Sequence, residues 1–286
     1  MLDISLVVCT RNRSAQLRDA LDRLSALRPS ISSELVFVDN GSTDDTAAVL
    51  EQFRLNAPWP CTVVYEGKPG LGRARNQGWR ASSGAIVAFT DDDCYPADDF
   101  LDRVVECFAD SSLGFLGGRI LLFDPTDLPI TIQPLERRVE LLPGKFISAG
   151  LIQGANFALR RTTLEAIGGF DDGFGAGTPF PCEDVDVIAR ASGRGWKGAY
   201  DPRPLVFHHH RRKTQQDALR LMYGYDIGRG AYYVKSILDQ SLRLACLKVW
   251  ARMVLTQSPV KTLRELKGGA GYLMAMRRNR VRSGNP

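Results

Sequence analysis

The chain has 286 residues, of which 44% are hydrophobic and 24% are charged, and its formal net charge is +5. These values are ordinary for a globular protein and allow one large core or two modest ones. The six cysteines include no Cys-x-x-Cys pair, which disfavours a disulfide framework and a zinc site and predicts a cytoplasmic protein with reduced thiols. The first residues run directly into a strand-like segment, which disfavours a signal peptide.

Strand and helix patterns alternate through residues 1–110. Strand-like apolar segments cover residues 4–9, 34–38, 61–65 and 85–90, and a helical pattern follows each of them. The first helix has Ser14 as its predicted N-cap and a leucine stripe that runs from Leu17 to Leu27. This alternation predicts an α/β fold with a mostly parallel central sheet, flanked by helices, that binds ligands at the carboxyl ends of its strands.

The rest of the chain divides into a less regular part and a basic part. Residues 111–212 contain strand-like segments at 113–122 and 156–160 and a helical pattern at 183–192. From Arg211 onward there are 16 Lys and Arg against 4 Asp and Glu, whereas residues 1–210 hold 21 basic and 28 acidic residues. A basic end of this kind can bind nucleic acid or an anionic membrane surface. Because it lacks a nucleic-acid-binding motif, we expect the membrane or packing against the core, and no nucleic acid.

The C-terminal part also contains an apolar stripe within residues 237–255 that includes Leu238 and Leu242. Nineteen residues are long enough to span a bilayer. However, Arg243, Lys248 and Arg252 would each cost about 2.5–3.5 kcal/mol at its centre. We therefore expect a packed or interfacial amphipathic helix rather than a spanning one.

Three consecutive aspartates, Asp91, Asp92 and Asp93, follow the fourth predicted strand. Like charges at this spacing repel one another, so the cluster favours a compensating cation. In an extended segment Asp91 and Asp93 lie on one side and Asp92 on the other. Two oxygen ligands on one side suit Mg²⁺ or Mn²⁺, which in turn suits a diphosphate substrate. The alternative is a solvated acidic turn.

Polar residues also follow the first two predicted strands. Thr10, Arg11 and Asn12 place hydrogen-bonding groups after the first strand, where a plain polar turn is the alternative. Asp39 follows the second strand and precedes a segment of helix-capping residues, 42–44. Its carboxylate is free to accept a hydrogen bond from the N–H of a nucleotide base.

Two further segments carry charges that suit catalysis. Arg73 and Arg75 lie in a Gly-rich segment near a helix N-terminus, where they could hold diphosphate oxygens or be solvated surface residues. Arg75 stands where a dinucleotide fingerprint needs its third glycine, which disfavours a Rossmann oxidoreductase. Glu183 and Asp184 open a predicted helix; they could stabilise its N-terminus or act as a general base.

All three histidines are consecutive, at positions 208–210. One of them could complete a metal shell with Asp93. The alternative is a basic edge of the cleft, formed together with Arg211 and Arg212. The sequence leaves this choice open, and His208 and His210 are both retained as candidate metal ligands.

Seven motifs, in this order and spacing, resemble the family 2 glycosyltransferases of the GT-A fold. They are Val-Val-Cys-Thr-Arg-Asn-Arg (7–13), Val-Asp-Asn-Gly-Ser-Thr-Asp-Asp-Thr (38–46), Gly-Arg-Ala-Arg-Asn-Gln-Gly (72–78), Phe-Thr-Asp-Asp-Asp-Cys-Tyr-Pro (89–96), Gly-Ala-Asn-Phe-Ala-Leu-Arg-Arg (154–161), Gly-Gly-Phe-Asp (168–171) and Glu-Asp-Val-Asp (183–186). The resemblance covers residues 1–212. It implies a nucleotide-sugar-binding half at 1–110 and an acceptor-binding and catalytic-base half at 111–212, followed by the basic helical region at 213–286.

The resemblance also implies roles for individual residues. Thr10 and Asp39 match positions that hold the nucleotide, and Arg75 matches a position near its diphosphate. The donor contacts expected on this basis are Thr10, Arg11, Asn12, Asp39, Arg73, Arg75, Asp91 and Asp92. Asp93 is the best metal ligand, assisted by Asp91 and by His208 or His210.

On the acceptor side, Asp184 matches the catalytic base of inverting members, with Glu183 beside it, and Gly154, Ala155 and Asn156 match an acceptor loop. The implied reaction is metal-assisted transfer of a sugar, with inversion, from a nucleotide-diphosphate donor to the hydroxyl of a saccharide or lipid-linked saccharide. The expected cofactor is Mg²⁺ or Mn²⁺, the expected role is cell-surface glycan synthesis, and the expected location is the cytoplasm or the inner face of the membrane. A nucleotidyltransferase and a non-enzymatic carbohydrate-binding protein are the alternatives.

Overall fold

The structure is a computed structural model that describes residues 2–282. Its first half contains five strands, β1 (Leu2–Thr10), β2 (Ser33–Asp39), β3 (Cys61–Tyr65), β4 (Gly84–Asp91) and β5 (Cys94–Pro96), and four helices, α1 (Leu17–Ala26), α2 (Thr46–Asn56), α3 (Leu71–Ala81) and α4 (Phe100–Cys107). The second half contains β6 (Leu113–Leu122), β7 (Val139–Leu141), β8 (Phe157–Arg160), β9 (Lys197–His208), α5 (Arg161–Ile167), α6 (Glu183–Gly193), α7 (Gln215–Leu238), α8 (Arg243–Thr256) and α9 (Pro259–Arg282).

All nine strands belong to one sheet, in the order β3-β2-β1-β4-β8-β6-β9-β5, with β7 also paired to β9. The β1–β2, β2–β3, β1–β4 and β6–β9 pairs are parallel and have five to eight residue pairs each. The pairs made by β8, β5 and β7 with their neighbours are antiparallel and have three or four. The expectation of a mostly parallel sheet flanked by helices is therefore confirmed, with short antiparallel strands inserted in its second half.

The core lies on both faces of the sheet, because alternate side chains of each strand point to opposite faces. In β1, Ile4, Leu6 and Val8 pack on the face covered by α1 and α4, whereas Val7 packs on the other face. That second face is covered by α3 and α6 and by Tyr232 of α7. The C-terminal helices therefore complete the core.

Two details of the predicted helices are wrong. Ser14 does not cap α1, because this helix begins at Leu17. The backbone N–H and the hydroxyl of Ser14 donate instead to the Asp44 carboxylate. The stripe at 237–255 does not form one helix, because α7 ends at Leu238 and α8 begins at Arg243. In the turn between them the Asp239 side chain accepts from the Ser241 N–H and hydroxyl.

None of the helices formed by the described residues is long and apolar enough to cross a membrane. All six cysteines lie in the described range, and none of them forms a disulfide. Both findings fit the expectations drawn from the charged residues of α8 and from the cysteine spacing.

Candidate active site

The carboxyl ends of β1, β2 and β4 meet at one edge of the sheet. The parallel register places Thr10 beside Asp39 and Cys9 beside Asp91. A cavity of about 700 Å³ opens at this edge, lined in part by Thr10, Arg11 and the three aspartates. Its opposite wall includes Gly154, Ala155, Glu183 and Asp184. The predicted donor-side and base-side residues therefore face one cleft.

The three consecutive aspartates have three different environments. Asp91 accepts from Arg75 Nη2 at 3.1 Å, and its side chain is one-third exposed. Asp92 is almost buried and accepts from the Thr10 hydroxyl at 2.5 Å. Burial, together with the neighbouring Asp93 charge, raises the pKa of Asp92 to about 6. Asp92 is therefore held against β1 while it lines the cavity, and its predicted donor contact stays a prediction.

Asp93 lies against His208, with 3.3 Å between Asp93 Oδ1 and His208 Nε2. Burial alone would raise the pKa of Asp93, but the hydrogen bond from His208 and the charges around it hold that pKa below the usual value. Arg13 contributes to this field, because its Nη2 lies 3.7 Å from Asp93 Oδ2. An ionised carboxylate next to an imidazole is a donor set that suits a divalent cation.

The orientation of His208 supports this fit. Its Nδ1 lies 3.0 Å from the Thr131 carbonyl oxygen, which can only accept a hydrogen bond, so Nδ1 carries a proton. Although burial lowers it, the Asp93 carboxylate raises the pKa of His208 overall, so without a cation Nε2 carries a proton that it donates to Asp93. A divalent cation would replace that proton between the two side chains, and the Nδ1–H bond to a carbonyl oxygen is the arrangement of a metal-binding histidine. The Cys94 thiol also lies within 4.8 Å of these two ligand atoms. However, burial keeps the pKa of Cys94 well above its ordinary value, so oxygen and nitrogen are the available ligands.

His210 does not join this cluster. Its Nε2 donates to the Leu128 carbonyl oxygen at 3.1 Å, and its Nδ1 accepts from the Arg212 backbone N–H at 3.0 Å. Because backbone groups engage both ring nitrogens, His210 has no lone pair left for a metal. The structure thus separates two histidines that the sequence could not distinguish.

Arg75 crosses the middle of the site and is 1% exposed. Its Nη1 donates to Glu183 at 2.6 Å, and its Nη2 donates to Asp91 and to the Gly154 carbonyl oxygen. The guanidinium carbon lies 5.0 Å from the centre of the Phe157 ring. Protein groups engage both terminal nitrogens, so Arg75 has a bridging position in the structure, and its expected diphosphate contact stays a prediction.

Glu183 and Asp184 form the first turn of α6, which follows Cys182 in a left-handed backbone conformation, with φ of 100°. Asp184 accepts from the Gly154 and Val185 backbone N–H groups, each at 2.7 Å. Burial raises the pKa of both carboxyl groups against the opposing charge of Arg75, and it raises that of Glu183 to about 7. A carboxylate with a raised pKa in a cleft is suited to accept a proton from a hydroxyl.

Four other predicted residues lie outside the cavity lining. Asn12 accepts from the Thr43 N–H, and Asp39 is buried and accepts from the Ser42 N–H. Arg73 forms an ion pair with Asp172. Asn156 donates to the carbonyl oxygens of Arg119 and Pro204. These side chains hold the loops around the cleft, and the ligand contacts predicted for Asn12, Asp39, Arg73 and Asn156 stay predictions.

Comparisons with known proteins agree with this geometry. The Glycosyl transferase family 2 model matches residues 5–170, which is more than half of the chain. The chain belongs to glycosyltransferase family 2. Solved structures similar to it include a mannosyltransferase from Pyrobaculum calidifontis, with a TM-score of 0.63 and 18% identity over 96% of this chain and 83% of that one.

The structure of TarS residues 1–349 from S. aureus matches this chain with a TM-score of 0.67 and 15% identity. The match covers 96% of this chain and 81% of the TarS chain. These similarities show the GT-A fold. Among curated relatives, the pre-mycofactocin glycosyltransferase of Mycobacterium tuberculosis is 26% identical over 232 residues, which are 78% of this chain and 46% of that protein. Glycosyltransferase AglE of Haloferax volcanii is 30% identical over 118 residues, 41% of this chain and 39% of AglE. The chain thus spans about half the length, or less, of these curated relatives.

This family 2 chain also has cleft residues that the sequence did not reveal. Arg13 lines the cavity from the β1 side, and Tyr225 and Arg229 line it from α7. By contrast, Arg212, which lines it from the β9 side, belongs to the basic edge of the cleft that the sequence offered as an alternative. Burial, with the nearby Asp184 charge, raises the pKa of Tyr225 well above its ordinary value, so the phenol stays protonated. Arg13 stands in the first motif, but nothing in the C-terminal sequence indicated that α7 closes the cleft.

Proposed function

We propose that the protein transfers a sugar, with inversion, from a nucleoside-diphosphate donor to an acceptor hydroxyl. The observation that carries the proposal is the placement of the Asp184 carboxylate across one cleft from Asp93 and His208. Two neighbours in the fold were solved with nucleotide sugars, GDP-mannose with Mn²⁺ in one and UDP-GlcNAc in the other.

Asp184 is the proposed general base. Its side chain is oriented by the N–H groups of Gly154 and Val185, and it accepts the acceptor proton as the hydroxyl oxygen attacks the anomeric carbon. The nucleoside diphosphate leaves from the opposite face of the sugar. Glu183 is paired with Arg75 and therefore positions the site rather than moving the proton.

Donor binding is proposed at the opposite wall. Thr10, Arg11 and Asp91 contact the donor, and Asp93 with His208 holds Mg²⁺ or Mn²⁺, whose charge would stabilise the leaving diphosphate. Because Arg75 is engaged elsewhere, Arg13 and Arg212 are the proposed cationic partners of the phosphates. The Gly154–Ala155 segment contacts the acceptor.

The acceptor is proposed to be a saccharide, free or linked to lipid, in cell-surface glycan synthesis. One relative is named an O-antigen chain rhamnosyltransferase, and another a β-monoglucosyldiacylglycerol synthase. A cytoplasmic location, at the inner face of the membrane, belongs to the same proposal and is supported by the six unpaired cysteines.

The test is Asp184→Asn, assayed by nucleoside-diphosphate release across a panel of nucleotide sugars and acceptors. We expect kcat to fall by about 10²–10⁴-fold, because the general base is lost, with donor affinity close to that of the unmodified protein. Glu183→Gln is the matched comparison, and we expect it to cost less. A larger loss in Glu183→Gln would transfer the base role to Glu183, and pyrophosphate release would indicate a nucleotidyltransferase.

A further inference from the structure

Exposed apolar side chains are concentrated in the C-terminal helices. Among the residues whose side chains the structure describes, seventeen large hydrophobic side chains are exposed, and thirteen of them lie in α7, α8 and α9. This third of the fold also completes the core through Tyr232 and Tyr233. The exposed set is therefore a second, outward-facing apolar group rather than the result of a loosely packed region.

Part of this set forms one continuous surface. On α9 the exposed side chains of Leu263, Leu266, Leu273 and Met274 recur at helical spacing on one face. Lys267, on the same face, donates to the Tyr223 hydroxyl of α7 at 3.0 Å. Leu219 and Met222 are exposed beside Tyr223. The α7–α9 face is defined here as Leu219, Arg220, Met222, Tyr223, Leu263, Leu266, Lys267, Leu273 and Met274.

The exposed charges of the C-terminal helices have one sign. Of the acidic residues in α7, α8 and α9 and the turns between them, Asp226 and Glu265 are buried in ion pairs with Arg229. Asp217 and Asp239 are half-buried; the Asp217 carboxylate accepts from the Thr214 N–H and hydroxyl at the start of α7, and the Asp239 carboxylate accepts from the Ser241 N–H in the turn before α8. The exposed charged side chains in α7, α8 and the described part of α9 are all basic, namely Arg220, Arg243, Lys248, Arg252, Lys267, Arg277 and Arg278.

The α7–α9 face also borders the cleft. Met222 is 41% exposed and at the same time lines the cavity, next to Leu221 and Tyr225. A partner bound to the face would therefore lie at the mouth of the site.

We propose that the α7–α9 face docks on an anionic lipid bilayer, with the mouth of the cleft beside the lipid surface. Leucine, methionine and tyrosine side chains can enter the boundary between headgroups and acyl chains, while Arg220 and Lys267 reach anionic headgroups. A second copy of the chain fits less well, because a symmetric contact would bring like charges together. That a lipid-attached hydroxyl then reaches Asp184 rests on the proposed function, whereas the docking does not.

The experiment is vesicle flotation of the full chain, with phosphatidylcholine vesicles and with vesicles that contain phosphatidylglycerol as well. We expect binding to the anionic vesicles that weakens at about 0.5 M salt, where charges are screened within a few ångströms. The double variant Leu219→Glu/Leu263→Glu changes side chains that are 67% and 65% exposed. We expect it to bind at least about tenfold more weakly, since it loses apolar contact and adds repulsion.

Its matched control is Leu55→Glu/Leu142→Glu, which adds the same charges at positions that are 69% and 56% exposed but lie on α2 and after β7. We expect this control to float like the unmodified protein. A second double variant, Arg220→Gln/Lys267→Gln, should weaken binding about fivefold for each charge removed.

Three results would overturn the proposal: no flotation of the unmodified chain, equal losses in the two glutamate variants, or a dimer by light scattering that only Leu219→Glu/Leu263→Glu disperses. Nucleoside-diphosphate binding, followed by thermal shift, keeps the two proposals separate. If flotation depends on the α7–α9 face, docking is supported even when no nucleotide sugar is turned over. A lack of turnover would then count against the proposed sugar transfer alone.

Discussion

The Arg75 guanidinium connects three groups that come from distant parts of the chain. It donates to Asp91 at the end of β4, to Glu183 at the start of α6 and to the carbonyl oxygen of Gly154. A buried cation is stable only when it is paired and hydrogen-bonded, and here the two carboxylates and the carbonyl provide this. The result is a fixed spacing between the wall of the cleft that carries Asp91 and the wall that carries Asp184.

Removal of Arg75 is predicted to destabilise the fold and not only the site. Arg75→Met leaves the buried Glu183 carboxylate without its partner, so we expect the free energy of unfolding in urea, at about pH 8, to fall by about 3–5 kcal/mol. Arg75→Met/Glu183→Gln removes both charges and should recover part of this loss. Additive losses in this double-mutant cycle would show that Arg75 and Glu183 are not coupled.

At the residue scale, local sequence could locate polar groups but not their partners. Asp91, Asp93, Glu183 and Asp184 were found because they stand at the end of a strand or at the start of a helix. The pairing of Arg75 with Glu183 joins residues 108 positions apart, which no local pattern specifies. The difference between His208 and His210 depends in the same way on the carbonyl groups of residues 128 and 131.

At the scale of elements, the C-terminal helices illustrate what periodicity does and does not determine. The sequence predicts helices there, but their positions depend on a crossing of α7 and α9. At this crossing a Cβ on Gly230 would clash with the Glu265 carbonyl oxygen, and one on Gly268 would clash with that of Ile227. The close approach fixes α7, and with it Tyr225 and Arg229, against the cleft.

At this crossing we predict that replacing a helical glycine with alanine destabilises the protein, whereas the same replacement usually stabilises a helix. Alanine normally stabilises a helix by about 0.5–1 kcal/mol relative to glycine, and we expect this gain in Gly224→Ala, where a Cβ would meet no atom within 4 Å. Gly268→Ala should instead lower the free energy of unfolding by about 1–3 kcal/mol, because the backbone of α7 must move. Denaturant unfolding measures both; a gain in both would mean that the helices are not in close contact.

At the scale of the whole molecule, the order of the strands creates the site. The parallel β1, β2 and β4 end at one edge of the sheet, and β8, which enters antiparallel between β4 and β6, begins just after the Gly154–Ala155 wall. The alternation of strands and helices predicted these three strands and their common edge. It could not predict the antiparallel insertion, because the pairing of β8 with β4 depends on contacts about 70 residues apart.

The last prediction concerns the stability of the whole chain in the presence of ligand. A ligand that binds only the folded state, at 100 times its Kd, adds about 2.7 kcal/mol, so Mn²⁺ with a nucleoside diphosphate should raise the midpoint of thermal unfolding. Each variant is compared with its own ligand-free midpoint. We expect Asp93→Asn and His208→Gln to lose the Mn²⁺-dependent part of the increase, because they remove the carboxylate and the imidazole that face each other at 3.3 Å. His210→Gln and Asp184→Asn should keep it, since neither residue contributes a ligand atom to that cluster. An equal increase in all four variants would place the cation elsewhere in the cleft.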